Sequence, residues 1–88
     1  MDFIAVGRVL APWGVKGEMK VEVLTDFPDR FAPGEEVYVG ERAVTIEGCK
    51  WHRGRAILKL DTIDSVEDSQ KLSGQFLEIP QSDRKSVV

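Results

Sequence analysis

With 88 residues the chain has room for one small domain, and a domain of that size buries only about 60% of the surface its unfolded chain exposes, so its core is thin. The 42% hydrophobic and 31% charged content is that of an ordinary globular protein, with no apolar run long enough to span a membrane. A net charge of −3 weighs against a general nucleic-acid binder. One cysteine, Cys49, and one histidine, His52, exclude an internal disulfide and a metal site made from those residue types alone. The opening residues lack the basic region of a secretory signal, and a reduced, cytoplasmic setting is expected.

In chain order, the sequence predicts an all-β domain of six strands with one short helix late in the chain. Residues 3–10 are apolar on both faces except at Gly7 and Arg8, as in a strand enclosed by a barrel, and Gly7 suits a bend or the close approach of another strand. Pro12, Gly14 and Gly17 shape a tight loop with Trp13 and Lys16 at its crest. Residues 18–25 then alternate: Met19, Val21 and Val23 fall on one face, Glu18, Lys20 and Glu22 on the other. Residues 26–31 read as a single helical turn, with Phe27 and Phe31 plugging an end of the barrel.

Residues 36–39 form a short strand, and Gly40-Glu41 turns it into a longer one over 42–51. The apolar parity changes along that strand, from Val44 and Ile46 to Cys49 and Trp51, which predicts a bulge near Glu47-Gly48. His52-Arg53-Gly54 is a second hairpin tip leading into residues 55–60, where Ala56, Leu58 and Leu60 compete with Ile57 for the inward face. Asp64-Ser65-Val66-Glu67 offers a capping side chain with an acid three residues later. The helix it opens runs to Leu72, turns Val66, Ser69 and Leu72 inward, and stops at Gly74. Residues 75–79 make the last strand, ended by Pro80, and residues 81–88 read as the start of a linker.

The residue inventory disfavours an enzyme. Gly14-Val15-Lys16-Gly17 lacks the spacing of a phosphate-binding loop and leads into a strand instead of a helix, and Cys49 and His52 make no dyad. No catalytic residue, metal, cofactor or small-molecule substrate is expected. Two surfaces remain as candidates for binding. One is the loop crest with Trp13 and Lys16. The other is the hairpin of Lys50, His52, Arg53 and Arg55 beside Trp51, within a stretch from Gly48 to Leu60 that also contains Lys59 and no acid. Basic side chains interleaved with aromatics can hold phosphates and stack on unpaired bases. The acids that follow, Asp61, Asp64, Glu67 and Asp68, are expected to cap and solvate the helix N-terminus.

Ala5-Val6-Gly7-Arg8-Val9, Pro12-Trp13-Gly14-Val15-Lys16-Gly17-Glu18-Met19-Lys20-Val21, Leu24-Thr25-Asp26-Phe27-Pro28-Asp29-Arg30-Phe31 and the run from Ile63 to Gly74 together resemble the RimM family of bacterial ribosome maturation factors. The family usually has a histidine at the position of Trp13 and an alanine at that of Ser69. The resemblance implies a six-stranded β-barrel similar to the second domain of translation elongation factors, occupying residues 1–80. It implies that residues 81–88 lead to a second barrel domain beyond this chain. It further implies a non-enzymatic factor that binds immature small ribosomal subunits, with a ribosomal protein of the subunit head and 16S rRNA as partners, and assists maturation of the head. Trp13, Lys16, Arg53 and Arg55 are then the candidate ribosome contacts. The alternative is a generic β-barrel protein-interaction module without RNA contact.

Overall fold

The structure, a computed structural model, describes residues 3–26 and 31–80. Its strands are β1 (Phe3–Trp13), β2 (Glu18–Val23), β3 (Glu36–Val39), β4 (Arg42–His52), β5 (Arg55–Leu60) and β6 (Phe76–Pro80), with the helix α1 (Val66–Lys71) before the last strand. Every ladder is antiparallel, and the order β1-β2-β5-β4-β3-β6 closes on itself as a barrel. Closure removes most of the free edges that a thin open sheet would leave. The turn expected over residues 26–31 falls largely outside the described residues, as does the linker over 81–88; Phe31 itself is buried.

The core follows from the alternation. Met19 and Val21 of β2 meet Leu58 and Ala56 of β5 in register, and all four join Val6, Val9, Val37, Val44, Ile46, Leu60, Leu77 and Ile79 inside. The phase change in β4 is absorbed by a register shift between Ile46 and Gly48, at the predicted bulge. Gly7 also does what its position suggests: a Cβ there would lie 2.8 Å from Val21 Cγ1 and 3.2 Å from Phe31 Cζ, so strand and plug close over it. Two further shifts, between Ala5 and Gly7 and between Val9 and Ala11, bend β1 as it changes partners.

Both short hairpins turn through two residues of positive φ, Gly40-Glu41 and Arg53-Gly54, the twist-matched geometry of two-residue loops. The opening turn over residues 14–17 is held from behind. Gly14 and Gly17 have φ of 73° and 93°, and a Cβ on Gly17 would overlap the Ile63 carbonyl oxygen. Only glycine satisfies both demands.

The helix begins one residue later than the sequence pattern suggested. Ser65 is the N-cap, its hydroxyl accepting the Asp68 N–H at 3.1 Å. Asp64 turns instead to Lys59 (2.9 Å), and Asp61 bridges to β4 by accepting the Thr45 N–H (2.9 Å). Two of the four acids expected to solvate the helix start therefore fasten this segment to the sheet. Ser69 is fully buried and donates its hydroxyl to the Val66 carbonyl at 3.0 Å, which satisfies the only polar group buried there. Leu72 packs against the core from its partly buried place at the C-cap.

Candidate functional site

The register separates the exposed cations of the two expected binding surfaces. β2 leaves the opening turn and runs antiparallel to β5, with Met19 opposite Leu58 and Val21 opposite Ala56. The turn before Glu18 therefore lies beyond the far end of β5, and the Arg53-Gly54 tip lies beyond its near end. Lys16 and the Arg53/Arg55 pair stand at opposite ends of this ladder. They do not form one charged site.

Trp13 is not on the crest either. It is the last residue of β1, in register with Glu18, and only half exposed. The crest carries Val15, 79% exposed, and Lys16. The Trp13 indole leans across the outer wall to the base of the other hairpin. Its ring centroid is 4.8 Å from that of His52, and Lys20 Nζ stands 5.8 Å from it. Membership of the core settles the competition within β5. Ala56, Leu58 and Leu60 point inward. Ile57 points outward, between Lys20 and Lys50 in the ladder, yet is only 1% exposed. Trp13 is the diagonal neighbour of Lys20, and His52 that of Ile57, so the register brings both rings to the outer face near this row.

The positive charge of this face is smaller than its lysines and arginines suggest. Lys50 pairs with Glu18 at 3.4 Å. Lys59, with a side chain 19% exposed, pairs with Asp64 at 2.9 Å and Glu47 at 3.2 Å and donates to the Leu60 carbonyl. Burial pulls the Lys59 ammonium down, but hydrogen bonds and charge from Asp64 and Glu47 outweigh it, so its pKa lies above the usual lysine value. Burial pushes the Cys49 thiol up, away from the reactive thiolate. Arg53 and Arg55 are exposed and, among the described residues, have no ion-pair partner. A cluster of metal-ligating side chains is likewise absent among the described residues.

Sequence reasoning found Lys16, Arg53 and Arg55 as exposed cations. It missed His52 and Lys20 as partners of Trp13, because that contact spans three strands and leaves no local spacing to detect. It named Trp51 beside the basic hairpin but took Trp13 as the aromatic contact, although Trp51 is 50% exposed near the end of β4.

The family model described as the RimM N-terminal domain matches residues 4–84. A ribosome maturation factor RimM from Dehalococcoides mccartyi is 38% identical over 86 residues, covering 98% of this chain and 52% of that protein. One from Clostridium novyi is 42% identical over 78 residues, covering 89% and 48%. The chain thus spans about half the length of these relatives. Two solved structures share the fold. The 16S ribosomal RNA processing protein RimM from Pseudomonas aeruginosa superimposes with a TM-score of 0.85 at 23% identity, over 99% of this chain and 56% of the other. The N-terminal domain of RimM from Thermus thermophilus superimposes with a TM-score of 0.79 at 20% identity, over 96% and 95%. No helix among the described residues is long and apolar enough to cross a membrane. Matched by that family model over residues 4–84, and by relatives of that name over 98% and 89% of its length, the chain belongs to the RimM N-terminal domain family.

Proposed function

We propose that this barrel is the ribosome-contacting domain of a non-enzymatic maturation factor, one that binds immature small ribosomal subunits in the cytoplasm and assists 16S rRNA maturation in the subunit head. The match to the RimM N-terminal domain over residues 4–84 carries this reading. The partners are 16S rRNA and a ribosomal protein of the head. Arg53 and Arg55 supply the charge contacts of one end, Lys16 that of the other, and Trp13 lies on the wall between them. Arginines with no carboxylate partner among the described residues are available to phosphate, unlike the paired Lys50 and Lys59.

The decisive experiment is a pull-down of small subunits by this chain alone, comparing mature subunits with subunits accumulated during assembly. Preferential capture of the immature particles is the expected result. Equal or absent capture would remove the reading.

A second reading, a protein-interaction module without RNA contact, draws on the neutralised lysines and on exposed apolar side chains such as Val15 and Phe76. Capture that is insensitive to salt would favour it, because phosphate contacts release counterions and make affinity fall steeply with salt.

A further inference from the structure

The end of the β4–β5 hairpin carries an aromatic side chain that the fold leaves unused. Trp51 is in register with Ala56, whose side chain lies in the core, so the indole belongs to the inward face. It is nevertheless 50% exposed. Topology explains the exposure. β3 pairs with β4 only as far as Glu36 opposite Thr45, the backbone of Gly34 and Glu35 extends the pairing to Ile46, and beyond that β4 is flanked among the described residues by β5 alone. The wall ends there and the indole emerges at the mouth of the barrel.

The same arm is cationic. Residues 48–60 contain no carboxylate. Arg53 holds the first turn position at φ 53°, where asparagine, aspartate or glycine fits with less strain. Nothing in the fold calls for arginine there. Arg55 lies on the outward face opposite His52. The arm thus offers one stacking surface and two guanidinium groups at its narrow end.

We infer that the end of this hairpin is a site for single-stranded RNA, in which Trp51 stacks on an unpaired base and Arg53 and Arg55 hold the phosphates that cross the tip. The inference rests on the reading of the domain as an rRNA-contacting factor, and it assigns the stacking role to Trp51 in place of Trp13, whose ring is already engaged by His52 and Lys20. An unstacked strand alternates anionic and aromatic groups, and this arm presents their complements on the two faces and the tip of one narrow end, which a strand wrapping the tip meets in turn. A duplex hides its bases in the stack and could use only the arginines.

The test is fluorescence anisotropy with a short labelled single-stranded oligoribonucleotide of mixed sequence, and with its duplex as control, on the 88-residue chain. Trp51→Ala should weaken single-strand binding roughly five- to a hundredfold and leave the salt slope unchanged, since stacking carries no counterion release. Trp51→Phe should retain most of the affinity, and neither change should alter duplex binding. Arg53→Glu with Arg55→Glu should flatten the single-strand slope by roughly 1.4 units. Full single-strand affinity in a folded Trp51→Ala chain, an equal loss on the duplex, or no measurable binding by the parent overturns the site. Small-subunit co-sedimentation separates this inference from the functional reading. Loss of oligonucleotide binding in Trp51→Ala, with no subunit binding by the parent, upholds the site and removes the maturation role. Subunit binding by the parent, with Trp51→Ala unchanged in both assays, removes the site and leaves that role.

Discussion

The opening turn over residues 14–17 and the Arg53-Gly54 hairpin tip look alike in sequence: each pairs glycine with a basic residue between two strands. Their surroundings differ. Gly17 is buried against the Ile63 carbonyl, in front of the segment that Asp61, Asp64 and Ser65 fasten to the sheet and helix. Around Gly54 a Cβ would meet nothing within 4 Å. One turn is a packing junction with an exposed crest, and the other is a free arm. Glycine is required at the first by both conformation and space, and at the second by conformation alone. That difference assigns stability to one end of the barrel and leaves the other end free for the recognition role proposed above.

The largest effect is expected at Gly17. Gly17→Val adds a left-handed backbone penalty for a β-branched residue to an overlap with backbone, together about 3–5 kcal/mol, read as the shift in a urea unfolding midpoint. A loss below about 1 kcal/mol would mean that the two segments part easily, and the junction would then hold nothing. Leu72→Ala tests the same end from behind. Its side chain is only partly buried against the core, so about 1–2 kcal/mol is expected, less than for a fully buried leucine; a loss under about 0.5 kcal/mol would make the helix peripheral.

Gly54→Ala is the matched control. With φ of 81° and open space around it, it should cost about 1 kcal/mol from conformation alone. The gap between the Gly17 and Gly54 effects then measures the steric part, and equal effects would erase the distinction between the turns.

Much of this contrast was readable beforehand, and the reasons for the failures are physical. Local rules located the strands, the Gly40-Glu41 turn, the second hairpin tip to within one residue (His52 belongs to β4) and the β4 bulge, because parity and glycine placement act over a few residues. The inward face of β5 could not be chosen from Ala56-Ile57-Leu58, since an outward isoleucine that is buried on the outer wall looks in sequence like a core residue. The charge of the basic stretch was likewise overestimated. Lys50 is paired with Glu18 over the outer face of β5, and Lys59 with Glu47 and Asp64. Trp13 was placed on a crest because proline and glycine surround it, yet β1 continues through Pro12 to Trp13 in register with β2.

Lys59 gives a smaller test of the structured end. Its pKa is raised in the folded chain by Asp64 and Glu47 against the opposing effect of burial. The stabilisation is therefore fully present below the ordinary lysine value and is lost as pH rises through the folded one, which lies above it. Lys59→Met should cost roughly 0.5–1 kcal/mol at neutral pH and diminish the alkaline loss of stability, as measured by urea unfolding at several pH values. An unchanged alkaline limb would show that the network contributes nothing. The smallest stability effect belongs to the free arm. Arg53→Glu with Arg55→Glu should leave unfolding within about 1 kcal/mol of the parent.

The same double variant provides the most direct test of the division between a structural end and a recognising end. Small-subunit binding by the parent and by this variant is measured as a function of salt, with unfolding confirmed to be unchanged. The expected result is weaker binding and a slope reduced by roughly one unit for each arginine. Parental affinity and slope in the folded variant would show that the arm is only a solvated hairpin and that recognition lies elsewhere on the barrel.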